Sequence, residues 1–575
     1  MLFKSSIEQK AKPVFSLSFL SFHTLTWKII GFAVLLFLFL MPIVRLISLS
    51  FGAEGALSFG VYEEVLTDPA TWKSIENTVW ITAFSTLLSV VLGVSMAWIM
   101  AYVDIRGKQA MQLFIYLPFI IPSYITTLAW VQFFSGSGPL AMLFGDEMLP
   151  NLYGMGGIIF VLGISHYPVV YLMSVDVFRK IPRDAEQAAM VSGAGRWTAF
   201  RKIIFPMALP GIGSGALLAF LSNLDNFGVP AFLGIPSNIR VLSTYIYEQI
   251  IGYGPSAFAR AAVLSVMLGV IALAGTIIQA IIVRKSKANE TTKRDMEPRY
   301  YVSTRSRRLI QASLWSFLLL TSLVPFLAMA ATSLIKAYGL SLSWENLSFK
   351  NYLYLFTDSK VARSVSNSIM LGLATVITCL FAGTLLAYVR FKQPNLWTRA
   401  AEGIVTLPYA LPGTVLALSM ILMWMQPVPG WYPGVYGTIW ILLIAYLTRF
   451  LVLQFRGSLT AFSQLDPSME EAAQTSGASG FTKWRSILLP LLLPGIMSGA
   501  FLVFLTALAE LTVSSLLWSS GAETIGVMIF SFEQAGYSTY STAFSTLIVL
   551  AILIGGVSLV LFQNFIGKRV SLKND

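Results

Sequence analysis

The chain has 575 residues, of which 56% are hydrophobic and 11% charged, with a mean hydropathy of +0.73. Soluble globular chains carry about a quarter charged residues, so a water-soluble enzyme is excluded: too little polar side chain exists to cover its surface. Disorder is excluded by the opposite argument, because apolar surface is ample to offset the ordering entropy.

At about 20 apolar residues per spanning helix, ten to twelve helices fit the length. Lys4, Lys10 and Lys12 precede a first apolar run near 29–49. That run is too long for a signal-peptide core and lacks a small-x-small cleavage site, so it reads as a retained helix. Further runs lie near 77–103, 111–135, 154–178, 209–232 and 259–283, then near 309–332, 366–389, 401–425, 437–457, 493–517 and 541–566. The pattern predicts twelve spans, six on each side of one polar stretch.

That stretch, 284–308, carries nine Lys/Arg against Glu290, Asp295 and Glu297. The positive-inside rule makes it a cytoplasmic linker. Alternation then places both termini in the cytoplasm, in keeping with Lys568, Arg569 and Lys573. The acidic loop 51–76 falls outside. The net charge of +12 therefore reflects topology, and no nucleic-acid partner is expected. One cysteine, Cys379, and two histidines, His23 and His166, exclude an intramolecular disulfide and a structural zinc site. No metal site is assigned.

The chain repeats itself. Asp184–Ile212 and Ser468–Ile496, aligned without gaps at an offset of 284 (Glu470 against Glu186), share 14 of 29 residues. Upstream, Leu117-Pro118 with Pro122 matches Leu407-Pro408 with Pro412, and Ala101-Tyr102-Val103 matches Ala387-Tyr388-Val389. Six helices per copy is an even number, so the repeat is parallel and both repeated loops face the cytoplasm. The expected units are 1–283 with a loop at about 182–208, the linker 284–308, and 309–575 with a loop at about 466–492.

Each loop joins the fourth and fifth helices of its half. Glu186-Gln187-Ala188-Ala189 and Glu470-Glu471-Ala472-Ala473 suit helix starts, with acids at the positive end of the dipole. Gly193 and Gly477 suit a left-handed stop. The E-A-A pattern, the glycine four residues after the second alanine, and the following I-x-x-P resemble the EAA loop of ABC importer permeases. The first copy departs, with Gln187 where that family usually has Glu.

The resemblance covers essentially the whole chain. It implies an all-α membrane protein with twelve transmembrane helices, built as two parallel six-helix repeats of the type I ABC importer (MetI-like) fold. It also implies that these ten residues dock on a homodimer of cytoplasmic ATPase subunits, and that a periplasmic binding protein delivers the substrate. Fused chains of this kind resemble the iron(III)-type permeases of the bacterial inner membrane. Iron(III) is the expected cargo; thiamine or 2-aminoethylphosphonate are the alternatives. No G-x-x-x-x-G-K-[ST] phosphate loop occurs, so the chain is not expected to be an enzyme, and ATP and Mg would be used by the partner. A secondary transporter driven by an ion gradient is the distant alternative, in which the duplicated loops would serve no purpose.

Charges inside spans cost roughly 2.5–3.5 kcal/mol on insertion scales and mark candidate sites. Asp225 in LSNLDNFGVP and Glu510 in LTALAELTVS lie in the fifth helix of each half, where the resemblance implies the translocation pathway. The alternative is a charge paired to hold helices together, for which Arg449 or Arg45 could serve. His166 reads as an interhelical hydrogen-bonding residue rather than a ligand. Pro118, Pro122, Pro408 and Pro412 are placed to break the third helix of each half.

Overall fold

The computed structural model describes residues 28–52, 58–252, 256–284, 295–425, 434–465 and 484–571, with Ser468, Met469, Thr475, Gly477 and Thr482. In the first half these form α1 (Lys28–Ser50), α2 (Gly60–Thr67), α3 (Pro69–Tyr102), α4 (Lys108–Ile120), α5 (Ser123–Phe134), α6 (Met155–Lys180), α7 (Arg183–Val191), α8 (Arg196–Asp225), α9 (Gly228–Leu233), α10 (Leu242–Ile251) and α11 (Ala257–Arg284). In the second half they form α12 (Thr304–Thr332), α13 (Lys350–Thr357), α14 (Ser359–Lys392), α15 (Leu396–Ala410), α16 (Gly413–Trp424), α17 (Ile439–Ser463), α18 (Leu489–Leu508), α19 (Ser514–Leu517), α20 (Ile525–Gln534) and α21 (Ser538–Ser571).

Among the described residues, ten helices are long and apolar enough to cross a membrane. The two remaining expected spans are not straight. The α4–α5 pair bends by 102° and the α15–α16 pair by 109°, each at the second proline of the repeated motif, Pro122 and Pro412. A proline nitrogen has no hydrogen to donate, and the residue before it is driven out of the helical region; Ile121 and Leu411 are accordingly extended.

Each bent pair still traverses the bundle. The parallel helices α3 and α6 meet through Ser89 and Gly163 midway and through Tyr102 and Phe178 at their ends, so the chain between them must return from one side to the other. Each half therefore crosses six times. Lys28 bonds Gln393 at the end of α14, while Ser50 reaches Tyr62 near the start of α3. The ends of α3 and α14 thus lie on one side, and the halves run parallel.

Helices α3 and α14 show how the sequence specifies this packing. Both are 34 residues long and both start from an aspartate N-cap, Asp68 and Asp358, which accepts backbone N–H bonds. At 1.5 Å per residue each measures roughly 51 Å, well beyond a hydrocarbon core of ~30 Å, so several turns extend past that core. The large apolar side chains face outward: Trp80, Phe84, Leu87 and Val91 on α3, and Ile369, Leu373, Ile377, Phe381 and Leu385 on α14. The buried face is small and polar. Ser74, Thr78, Ser85, Ser89, Gly93 and Ala97 are matched by Ser364, Ser368, Thr375, Cys379, Gly383 and Ala387. In lipid, helices associate by close approach of small residues rather than by burying hydrophobic ones.

This register is an offset of 290, because Ser364 matches Ser74. It corrects the match of Ala101–Val103 to Ala387–Val389, which is one helical turn out. Val103 caps α3 from outside the helix, whereas Val389 lies within α14. From α6 onward the offset is 284, as the starts Met155 and Ile439 show. The fifth span also differs from expectation: its helix begins at Arg196 and ends at Asp225, short of residue 232.

Each first helix packs on the opposite half. Helix α1 lies against α15 and α16, and α12 lies against α4 and α5. Helix α12 already begins at Thr304, within the expected linker, and the packing interleaves the two repeats.

Two outcomes test this description. A Cβ on Gly93 would stand 2.7 Å from the Tyr167 carbonyl oxygen and from Val170 Cβ, so Gly93→Leu should lower stability by about 1–3 kcal/mol, measured by unfolding in detergent. At Asp68, burial opposes ionisation, but hydrogen bonds from Tyr245 and Ala70 and the charges of Arg260 and Arg240 outweigh it and hold the carboxyl below its usual range. A depressed folded pKa contributes stability above the unfolded value of about 3.9, lost as pH falls through the folded value. Asp68→Asn should flatten the acid limb of a melting-temperature profile between about pH 5 and 3.

Candidate functional site

The first repeated loop folds as a helix, a turn and a second helix. Asp184 and Glu186 occupy the first turn of α7, where the dipole favours acids. The helix ends in a Schellman motif: Gly193 N–H bonds the Met190 carbonyl and Ala194 N–H bonds the Ala189 carbonyl. Gly193 has φ +85°, and Gly477 in the second loop has φ +77°. Each loop then re-enters its span through one π-helical turn, Phe200–Ile204 and Trp484–Leu488, at the same 284-residue spacing. Pro206 and Pro490 follow two residues later; lacking the N–H and crowding the preceding turn, a proline favours this widening.

Gln187, Ala188, Met190, Val191 and Trp197 are exposed at the tip, and Ala189 is half-buried. Val191 is 89% and Trp197 71% exposed, a projecting apolar surface bordered by small residues. Glu186 is turned the other way. It is buried, with one carboxylate oxygen accepting from Tyr300 O–H at 2.6 Å and the other from Arg299 Nη1 at 3.2 Å. Sequence reasoning grouped Glu186 with its exposed neighbours because helix position shows only which face a residue occupies, not what covers that face. Glu470, Glu471, Ala472 and Ala473 lie outside the described residues.

Asp225 is the last residue of α8, whereas Glu510 lies two residues past the end of α18 rather than within the helix as expected, and both converge on Arg449 of α17. Asp225 Oδ2 lies 2.5 Å from Arg449 Nη2, and Glu510 Oε2 lies 3.7 Å from Arg449 Nε. Asp225 also accepts the backbone N–H of Gly413, the first residue of α16, so it caps a helix of the other half at its positive end. A Cβ at Gly413 would stand 2.3 Å from Arg449 Nη1, so a larger residue there would displace the guanidinium. This is the pairing alternative that the sequence left open, with Arg449 supplying the counter-charge.

The two acids are not equivalent in the repeat. Glu510 Oε1 accepts from Val513 N at 2.6 Å, as Asn226 Oδ1 accepts from Val229 N at 2.9 Å. Glu510 therefore occupies the place of Asn226, and Asp225 that of Ala509. The signal for this was available in the ungapped offset, which pairs 226 with 510.

His166 Nδ1 lies 2.7 Å from Asn223 Oδ1, and Asn223 donates to Thr86, an interhelical bridge. Glu402 pairs with Arg390 at 2.8 Å. Among the described residues no group of three His, Cys, Asp or Glu is arranged to hold a metal ion.

Removing one member of a buried ion pair strands the other, at about 3–5 kcal/mol. Arg449→Gln should therefore destabilise the detergent-solubilised protein by that order. Adding Asp225→Asn should recover part of the loss, as a double-mutant cycle of unfolding free energies would show.

Comparison with known proteins accords with the duplicated geometry. The family model described as "Binding-protein-dependent transport system inner membrane component" matches twice, over residues 89–288 and 379–572. The chain is 25% identical over 480 residues to the putative ferric transport system permease protein FbpB 1 of Haemophilus influenzae, covering 82% of this chain and 74% of that one. It is 23% identical over 553 residues to the probable ABC transporter permease protein y4fN of Sinorhizobium fredii, covering 92% and 95%. The putative 2-aminoethylphosphonate transport system permease protein PhnU of Salmonella choleraesuis matches 40% of this chain and 83% of its own length at 26% identity. With both halves matched, the chain belongs to the family of binding-protein-dependent transport system inner membrane components, as a fused two-half permease.

Proposed function

We propose that this chain forms the membrane pathway of an ATP-driven importer of ferric iron. The observation that carries the substrate is the extent of likeness. Relatives named as ferric permeases align with 82–86% of the chain, whereas those named for 2-aminoethylphosphonate or spermidine and putrescine align with 40%, a single half.

The side bearing the linker, the end of α3 and the coupling helix α7 is the cytoplasmic one in this reading, supported by the basic charge of 284–308. Both termini then lie inside. A binding protein would deliver its cargo to the opposite face. Two loops of one design call for two copies of one ATPase, which would bind ATP and Mg and turn their closure into motion of α7 and its counterpart.

Gln187, Ala188, Met190, Val191 and Trp197 would seat the first loop on the ATPase. Gly193 would fix the angle between the two helices of the first loop; Gly477, at φ +77°, with Glu470, Glu471, Ala472 and Ala473, would serve the ATPase contact in the second copy. Asp225 and Glu510 would flank the pathway where the halves meet, held by Arg449 until the halves separate.

Uptake of ⁵⁵Fe(III) by cells carrying this chain together with its partner ATPase and binding protein tests the reading. Uptake should need hydrolysable ATP, survive collapse of the proton gradient, and resist excess thiamine and 2-aminoethylphosphonate. Uptake that follows the ion gradient instead, or no uptake of iron, would overturn it. Replacing Gly193 with valine forces a β-branched residue to φ +85° with nothing within 4 Å to clash, a conformational cost of about 1–2 kcal/mol. The folded variant should lose most transport while retaining ATP hydrolysis.

A further inference from the structure

The described part of the linker, from residue 295 on, is bound to the first half at several points rather than strung past it. Asp295 N–H bonds the Arg179 carbonyl at the end of α6. Arg299 and Tyr300 both donate their backbone N–H to the Tyr102 carbonyl at the end of α3, and Tyr300 accepts from Asp104 N–H. Side chains reinforce the stitch: Arg183 of α7 pairs with Asp295 at 3.1 Å, and Arg307 of α12 pairs with Asp104 at 3.0 Å.

At the centre sits Arg299. Its side chain is 3% exposed; it lies 4.3 Å over the Tyr102 ring, donates to the Ile181 carbonyl, and pairs with Glu186. Tyr300 completes the site by donating to the remaining oxygen of Glu186. Burial, and then the Glu186 hydrogen bond and charge, push the Tyr300 hydroxyl above the ordinary phenol range, so it stays a donor. A tether needs only length and solubility. It has no use for a buried charge pair, which costs desolvation unless its geometry is good.

Helix α12 starts four residues after Tyr300 and runs along α4 and α5 of the first half. We propose that Arg299 and Tyr300 are positioning residues that latch the first coupling helix to the first span of the second half. On this view the Glu186 carboxylate faces inward to the latch, and the ATPase meets only the exposed side of α7. Displacement of α7 is then passed through the linker to α12 and so into both halves. The proposal rests on the reading of α7 as a coupling helix.

The test uses the complete transporter in nanodiscs, with its own ATPase subunits, and reads ATP hydrolysis without binding protein alongside thermal stability. Arg299→Gln and Tyr300→Phe should each raise this uncoupled hydrolysis at least threefold, while Tyr301→Phe, on a side chain 73% exposed, leaves it unchanged. Tyr300→Phe removes one hydroxyl and keeps the ring contacts to Trp98 and Tyr102, so a folding failure of Arg299→Gln does not end the test. Combined with Glu186→Gln, Tyr300→Phe should be no worse than either alone. Wild-type hydrolysis in both latch variants, or lower thermal stability with hydrolysis unchanged, would overturn the latch. If the wild-type chain neither binds nor alters the ATPase, the coupling-helix reading itself fails and the latch with it.

Discussion

A charge inside a membrane has to find its counter-charge within the protein, and Asp225 finds it only when the two sequence repeats are docked. Asp225 of the first half meets Arg449 and the α16 N-terminus of the second, and Glu510 completes the group. The break at Pro412 is what frees that N-terminus, and Gly413 is what lets the guanidinium come close. Two acids against one base leave the group formally one charge short of neutrality. In a region of low dielectric such a group holds its partners in one arrangement, so separating the halves requires other contacts for all three.

Around this centre the helices are arranged inside out compared with a soluble bundle. On α3 and α14 serines, threonines and glycines face inward and large apolar residues face lipid. Close backbone approach then replaces hydrophobic burial as the source of packing. The exchange of first helices adds a second kind of tie. With α1 on α15 and α16, and α12 on α4 and α5, neither half can turn without carrying a helix of the other. A coupling loop of the kind proposed would therefore act on a joined assembly.

Much of this was legible in the sequence because the relevant signals are local. The apolar runs, the paired prolines and the Gly193 and Gly477 stops each follow from the backbone preferences of a few neighbouring residues. The direction of Glu186 was not legible, because its partners Arg299 and Tyr300 lie more than a hundred residues away in a stretch whose composition suggested a solvated tether. For Asp225 and Glu510 the sequence offered two candidate partners, Arg449 and Arg45, but not which of them the fold brings close, because that depends on how distant helices pack. The register of α3 against α14 was misread by one turn because Ala-Tyr-Val recurs on a helix whose neighbouring turns look alike. Burial of Gly93 and Gly383 against equivalent partners resolves it.

The central claim is that the exposed tip of α7 meets an ATPase on the cytoplasmic side. The native Cys379 is fully buried, so a single cysteine at Val191 gives a nearly silent background for attaching a photoreactive cross-linker. In inverted membrane vesicles the label should react at residue 191 and transfer to the ATPase subunit, whereas intact cells treated with an impermeant reagent should show no reaction. Labelling from the outside would contradict the orientation, and accessible label that never transfers to the ATPase in vesicles containing the assembled complex would contradict the coupling role.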